Sequence, residues 1–265
     1  MLDLHTHSSA SDGADAPREL VRQAKERGLK GIALTDHDTC AGLEEAFAAG
    51  LELGLWVLPG VELSAEWGDE DVHILGYWIS ASHRELSDLM LKLRANRASR
   101  MARIVARLGE LGLTISLSEV NAQSDQDGYS LGRPHIARAL VARGYVRSMS
   151  EAFDLYLERG RPAYVPRYKL SPQEAIGAIV RSGGVAVWAH PGHLASQLLL
   201  PMVQAGLAGM EVYHPQHDTR QEQALLRLAK YYELVVTAGS DAHSAAALGA
   251  KRASLDTWYQ LWSCR

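Results

Sequence analysis

Seven apolar runs punctuate this chain, and between several of them the hydrophobic spacing changes from that of a strand to that of a helix. The first lies within residues 1–13 (MLDLHTHSSASDG). The others are 31–38 (GIALTDHD), 56–64 (WVLPGVELS), 72–78 (VHILGYW), 184–190 (GVAVWAH), 209–214 (GMEVYH) and 234–243 (LVVTAGSDAH). Continuous apolar runs that end in acid or imidazole predict buried parallel strands delivering polar side chains to a common place. Helices are predicted between them. Pro17 opens one that carries Leu20, Val21 and Ala24 and stops at Gly28, and another covers about 42–53. Ser171, Pro172 and Glu174 form a capping box with proline at the first helical position, where the strand and helix alternation resumes.

The pattern differs between 81 and 169. A long helix over about 83–112 places Leu86, Leu89, Leu93, Ile104 and Leu111 on one narrow stripe, and Arg97 and Arg100 fall within it. Arginines on a buried face are costly unless paired with anions, so these two are expected to meet acidic partners or a ligand phosphate. Long stems covering the core edge with their heads in water are the alternative. Arg94 and Arg103 lie further round and are expected to be solvated. Residues 116–130 read as a polar loop, Arg133, Pro134 and His135 as a helix start, and 151–159 as a shorter helix. The expected organisation is an α/β barrel from 1–80 and 170–265, with 81–169 as a helical insertion capping its active site.

Composition narrows the function. With 265 residues the chain suits one large domain with an insertion. Its 27 Lys and Arg against 31 Asp and Glu give a net charge of -4, which excludes a global basic field for gripping nucleic acid. Cys40 and Cys264 form no CxxC pair, so neither a disulfide scaffold nor a zinc knuckle is expected. No apolar stretch has membrane-span length and no secretory leader is visible, so a soluble cytoplasmic protein without membrane association is expected.

The candidate chemistry sits where the runs end. His5 and His7 are two apart, so a strand turns both imidazoles to one face, and Asp12 follows in a polar turn. His37, Glu62, His73, His190, Asp241 and His243 all read as lying at or just beyond the C-terminal ends of predicted strands. A parallel α/β barrel gathers strand ends at one rim, so these nine side chains can meet. They exceed what one ion uses, and two or three ions sharing bridging carboxylates follow.

In this order, HTHSSASDG, TDHD, PGVELS, AHP and GSDAH resemble the polymerase and histidinol phosphatase (PHP) family over nearly the whole chain. The insertion text LGRPHIARAL with YLERGRPAYVPR resembles its small stand-alone phosphoesterases. The resemblance implies a distorted (β/α)7 barrel with a trinuclear site of manganese, or of iron or zinc. It gives His5, His7, Glu62 and Asp241 to one metal, Glu62, His73 and His190 to a second, and Asp12, His37 and His243 to a third. Asp12 and His37 thereby join His193 as candidate catalytic residues. Metal-activated water would attack phosphorus in line without a protein nucleophile. Ser8, Ser9 and Ser11 shape the turn, since nothing activates them.

His193, just past a ligand strand, could protonate the leaving oxygen. Arg97, Arg100, Arg133 and His135 would hold phosphate oxygens. That is more cation than one metal-bound phosphate requires, so the expected substrate carries a second anion. The expected activity is removal of the 3′-phosphate from nucleoside 3′,5′-bisphosphates, with short oligonucleotides as related substrates and no protein partner. Histidinol phosphate phosphatase, a non-catalytic PHP module and amide hydrolysis are the alternatives. His83 and His217 read as surface residues, His214 as a residue that could line the pocket, and 244–265 matches no known pattern.

Overall fold

The computed structural model describes residues 1–68, 70–123, 132–166, 168 and 170–265. Part of the loop expected over 116–130 therefore lies outside the described residues. All seven expected strands are present: β1 (Leu2–Thr6), β2 (Gly31–Leu34), β3 (Trp56–Trp67), β4 (Glu70–Tyr77), β5 (Val185–Trp188), β6 (Gly209–Tyr213) and β7 (Val235–Ala238). They form one sheet in sequence order. The sheet closes on itself where the His7 N–H donates to the Ala242 carbonyl at 3.0 Å, just beyond β7. The (β/α)7 barrel is therefore nearly closed, as the sequence implied.

One expectation about strand direction is corrected. β1, β2 and β3 pair in parallel, as do β5, β6 and β7, but β4 runs antiparallel to both β3 and β5. β3 and β4 are a hairpin whose strands end at Trp67 and begin at Glu70, and so short a link cannot carry a parallel crossover. His73 therefore sits fourth in an eight-residue strand and Glu62 in the middle of a twelve-residue one, neither at a strand end. The reversal brings His73 opposite Ser64, two residues beyond Glu62.

Ten helices are described: α1 (Pro17–Glu26), α2 (Leu43–Leu53), α3 (Arg84–Glu110), α4 (Leu117–Asn121), α5 (Arg133–Ala142), α6 (Met149–Ala152), α7 (Pro172–Arg181), α8 (Ala195–Gln204), α9 (Thr219–Tyr231) and α10 (Leu255–Ser263). α7 begins with the Ser171–Glu174 capping box expected from the sequence. α4 corrects the loop reading of 116–130: Ser116 and Glu119 form a second capping box. The helix expected over 151–159 is instead α6 followed by a π-helical turn, Phe153–Leu157. The last turns of the chain, which matched no known pattern, form α10, and Ala253 just before it exchanges hydrogen bonds of 2.8 and 3.0 Å with Leu2.

The chain divides into two compact units, Met1–Met90 with Lys169–Arg265, and Leu91–Tyr168. The first holds the sheet. One buried cluster there joins Leu2, Leu4, Leu58, Leu75, Tyr77, Val185 and Val187, so alternate positions of β1, β4 and β5 pack together. The second unit has its own core of Met101, Ile104 and Leu108 from α3 with Ile136, Ala137 and Leu140 from α5. Leu111 was expected on the buried stripe of α3. The helix ends at Glu110, and Leu111 is exposed.

Candidate metal centre

His5 projects from β1 and His7 from the residue just past its end, and both are buried. Their Nε2 atoms lie 3.3 Å from Glu62 Oε2 and 3.4 and 3.1 Å from Asp241 Oδ1, respectively. Glu62 is central. Its Oε2 is 3.0 Å from His37 Nδ1, and its Oε1 is 2.9 Å from His73 Nδ1 and 3.4 Å from His190 Nε2. On the other side of His7, Asp12 meets His243 Nε2 at 3.2 Å and His37 Nε2 at 3.6 Å. The structure thus brings together all nine side chains singled out as metal ligands. Within the nine, three groups have donor atoms mutually within 4.8 Å: His5, His7, Glu62 and Asp241; His7, Asp12, His37 and His243; and His37, Glu62 and His73.

Local backbone geometry aims these groups. His190 and Asp241 follow β5 and β7 in left-handed conformations, with φ of 31° and 50°. Strain of this kind persists where the surroundings fix it, and it redirects both side chains at the strand ends. Gly13 is required because a Cβ there would meet the His7 carbonyl oxygen at 2.3 Å. Of the three serines expected to shape the turn, Ser8 and Ser11 do so through their side chains, and the Ser9 N–H donates to the Asp15 carbonyl at 2.8 Å. The Ser8 N–H and hydroxyl and the Ser11 hydroxyl all donate to Asp36, at 2.7, 2.7 and 2.6 Å. Burial pushes the Asp36 carboxyl up to about 6 despite these bonds.

The electrostatics are those of a site built for cations. Burial opposes a charge on Glu62, yet His37, His73 and His5 around it hold the carboxyl well below its usual range. Asp241 and Asp12 are likewise held low against burial, mainly by His5 and His37 respectively. Burial and the neighbouring imidazoles push His7 down to about 4, whereas His243, despite burial, is raised to about 9 by Asp12 and Asp241.

The buried polar atoms of the donor set fit a metal requirement. His5 Nε2, both ring nitrogens of His7 and both Glu62 oxygens are buried without a hydrogen-bond partner. Buried orphans carry a large desolvation cost, and so many converging on one spot fit divalent cations. Imidazole with carboxylate is the donor chemistry of manganese, iron and zinc.

The other candidates are distributed differently. His193 is exposed on the short 3-10 turn Gly192–Leu194 and stands outside the donor groups. In the second unit, Arg100 is buried and its Nε donates to the Val165 carbonyl at 2.7 Å, while Arg97 is half-buried. Arg103 is exposed as expected, but Arg94 is half-buried. Arg100 and Arg133 converge on one ring: each guanidinium carbon is 5.9 Å from the Tyr164 centroid. His135 Nδ1 accepts the Gly132 N–H at 3.1 Å, which caps α5.

Two surface assignments are corrected. His217 is buried, with Nδ1 donating to the Val212 carbonyl at 2.8 Å, and His83 is half-buried. Sequence reasoning missed Glu211 altogether. It is fully buried and its two oxygens lie 3.1 and 3.2 Å from His5 Nδ1. A lone acid inside the apolar run GMEVYH was the available signal, since a buried carboxylate needs a partner.

A nearly closed seven-stranded barrel that gathers nine clustered histidine and carboxylate side chains is the scaffold of a metal-dependent hydrolase. The model of the PHP domain matches residues 3–161. The chain is 36% identical over 249 residues to the 3′,5′-nucleoside bisphosphate phosphatase of Chromobacterium violaceum, covering 92% of this chain and 87% of that protein. It is also 36% identical over 279 residues to the 5′-3′ exoribonuclease Rnm of Escherichia coli, covering 99% and 94%. A solved structure from Bifidobacterium adolescentis, assigned by inference as a metal-dependent phosphoesterase, superposes with a TM-score of 0.89 at 37% identity, covering 99% of this chain and 96% of that one. The chain belongs to the PHP family, and it is a metal-dependent phosphoesterase.

Proposed function

We propose that this phosphoesterase removes the 3′-phosphate of nucleoside 3′,5′-bisphosphates to leave 5′-nucleotides, and that it also trims short oligonucleotides. The observation that carries the reading is the convergence of nine donor side chains, the buried and orphaned Glu62 carboxylate among them. The relatives named as a bisphosphate phosphatase and an exoribonuclease support the substrate class. His5, His7, Glu62 and Asp241 would hold one ion, Glu62, His73 and His190 a second, and Asp12, His37 and His243 a third, with manganese as the preferred metal. Such ions supply Lewis acidity, activating water and neutralising charge on the transferring phosphoryl group.

The protein's own groups supply the rest. Glu62 and Asp241, kept ionised by the imidazoles around them, hold the negative charge that balances the cations. Within the reading, His193 gives a proton to the leaving oxygen, and Arg97, Arg100, Arg133 and His135 bind the phosphate that is not cleaved. The pairing of Arg100 and Arg133 about Tyr164 supports a shared anion there. Nucleotides as substrates and two free thiols suit a cytoplasmic enzyme, and no described helix is long and apolar enough to cross a membrane. The test compares kcat/KM on adenosine 3′,5′-bisphosphate with that on histidinol phosphate, using one metal-loaded preparation. A tenfold or greater preference for histidinol phosphate overturns the assignment.

A further inference from the structure

β6 contributes none of the nine candidate ligands, yet three side chains from it and the loop after it touch the segments that carry them. Glu211 occupies the middle of β6, fully buried, opposite Thr237 of β7. Beside the two contacts to His5 Nδ1, it accepts the backbone N–H of His190 at 3.0 Å. A carboxylate only accepts, so the proton of His5 is held on Nδ1 and the Nε2 lone pair is turned toward Glu62 and Asp241. The same carboxylate fixes the backbone at His190, one of the two left-handed site residues.

His214 repeats this logic with its tautomer reversed. Its Nδ1 accepts the Gln216 N–H at 3.2 Å, which leaves the neutral ring's proton on Nε2, facing Asp241 Oδ2 at 3.5 Å. That oxygen is the one turned away from His5 and His7, which face Oδ1. His217 has both nitrogens engaged. Nδ1 donates to the Val212 carbonyl, and Nε2 accepts the Gly192 N–H at 3.3 Å, tying the end of β6 to the turn that follows His190.

His5, Glu211 and His214 also fall within 4.8 Å of one another and so form a fourth potential donor group. Metal there would have to take a Glu211 carboxylate already engaged by His5 Nδ1 and the His190 N–H, so the group reads as support.

We propose that Glu211, His214 and His217 form a supporting layer, in which Glu211 sets the tautomer of His5 and the backbone of His190, His214 orients Asp241, and His217 pins the Gly192 turn. The inference rests on the metal centre of the proposed function. Its test uses the full chain as Glu211→Gln and His214→Gln. Circular dichroism of the metal-free variants first establishes that each is folded, and either one suffices if the other is not. Manganese affinity and stoichiometry are then measured by chelator competition and elemental analysis, and the visible absorption of the cobalt-loaded proteins reports coordination. The expected result is an unchanged number of ions, an unchanged cobalt band pattern and affinity weaker by about 10 to 100-fold. Affinity within threefold of the wild type overturns the inference, and so does loss of one whole ion with an altered cobalt spectrum, which would make the residue a ligand. Wild-type protein that binds no metal would instead overturn the metal-centre reading itself.

Discussion

Gly239 follows β7 directly, and replacing it with alanine is the most localised perturbation the centre offers. A Cβ at this position would stand 2.2 Å from His5 Cβ, 2.6 Å from Glu211 Oε1 and 2.8 Å from the His5 backbone nitrogen. Ordinary contact begins at 3.4 Å, so one side must retreat by about 1.2 Å. Neither His5 Cβ nor its nitrogen is the end of a flexible side chain. The strain therefore moves β1 at His5, or the segment carrying Asp241. Overpacking of this kind costs about 1–3 kcal/mol, which for a chain of this size lowers the melting temperature by about 2–12 °C. A displacement near 1 Å between catalytic groups costs about 100-fold in rate, so Gly239→Ala should lose activity far beyond its loss of stability. Gly28→Ala is the control. Its φ of +74° penalises alanine by about 1–2 kcal/mol, but nothing lies within 4 Å of the new Cβ. Melting temperature, metal content and kcat on adenosine 3′,5′-bisphosphate are measured for both variants. If Gly239→Ala keeps kcat within threefold with full metal content, or if Gly28→Ala loses as much as it does, the reasoning is refuted.

Three further outcomes are expected. Arg97→Ala should raise KM for substrates with a second phosphate by about 10 to 100-fold while sparing single-phosphate substrates, as for a lost charge-assisted pair worth about 1.5–3 kcal/mol; equal losses on both would return Arg97 to a structural role. Chelation should lower the melting temperature, because ions that bind only the folded centre stabilise it by mass action, and calorimetry with and without chelator reads this directly. Burial, and then the charge of Asp36, push the Cys40 thiol up to about 12, so at pH 8 it stays protonated beside Met90 Sδ, 3.7 Å away. A colorimetric thiol reagent should then titrate the exposed Cys264 quickly and Cys40 only on unfolding; two fast thiols in the folded protein would contradict this.

The strands and the donor set were legible because each rests on short-range rules. His-x-His needs only the alternation of a strand, and a helix start needs only serine, proline and glutamate within four successive positions. What failed was an assumption laid over those rules. Treating every strand as parallel placed His73 at a strand end, although only seven residues separate the runs 56–64 and 72–78, too few for a crossover helix. That gap was readable, and it would have predicted the hairpin that sets His73 opposite Ser64 and within 2.9 Å of the Glu62 carboxylate. Leu111 failed for a smaller reason: the helical stripe was extended one residue past the helix.

The supporting layer was beyond such rules. Glu211 and His5 lie 206 positions apart, so no local pattern joins them. The role of His214 depends on a single backbone donor at Gln216, which decides which ring nitrogen is left to face Asp241. Ligand types can be counted in a sequence because a metal selects for them at fixed spacings. A group that holds a ligand needs only to accept or donate one proton at the right place, and many residue types can do that from any strand that passes nearby. The fold decides which strand it is. β6 takes the part here because it lies between β5, which leads to His190, and β7, which leads to Asp241, so that one buried carboxylate at its centre reaches His5 and the His190 backbone at once.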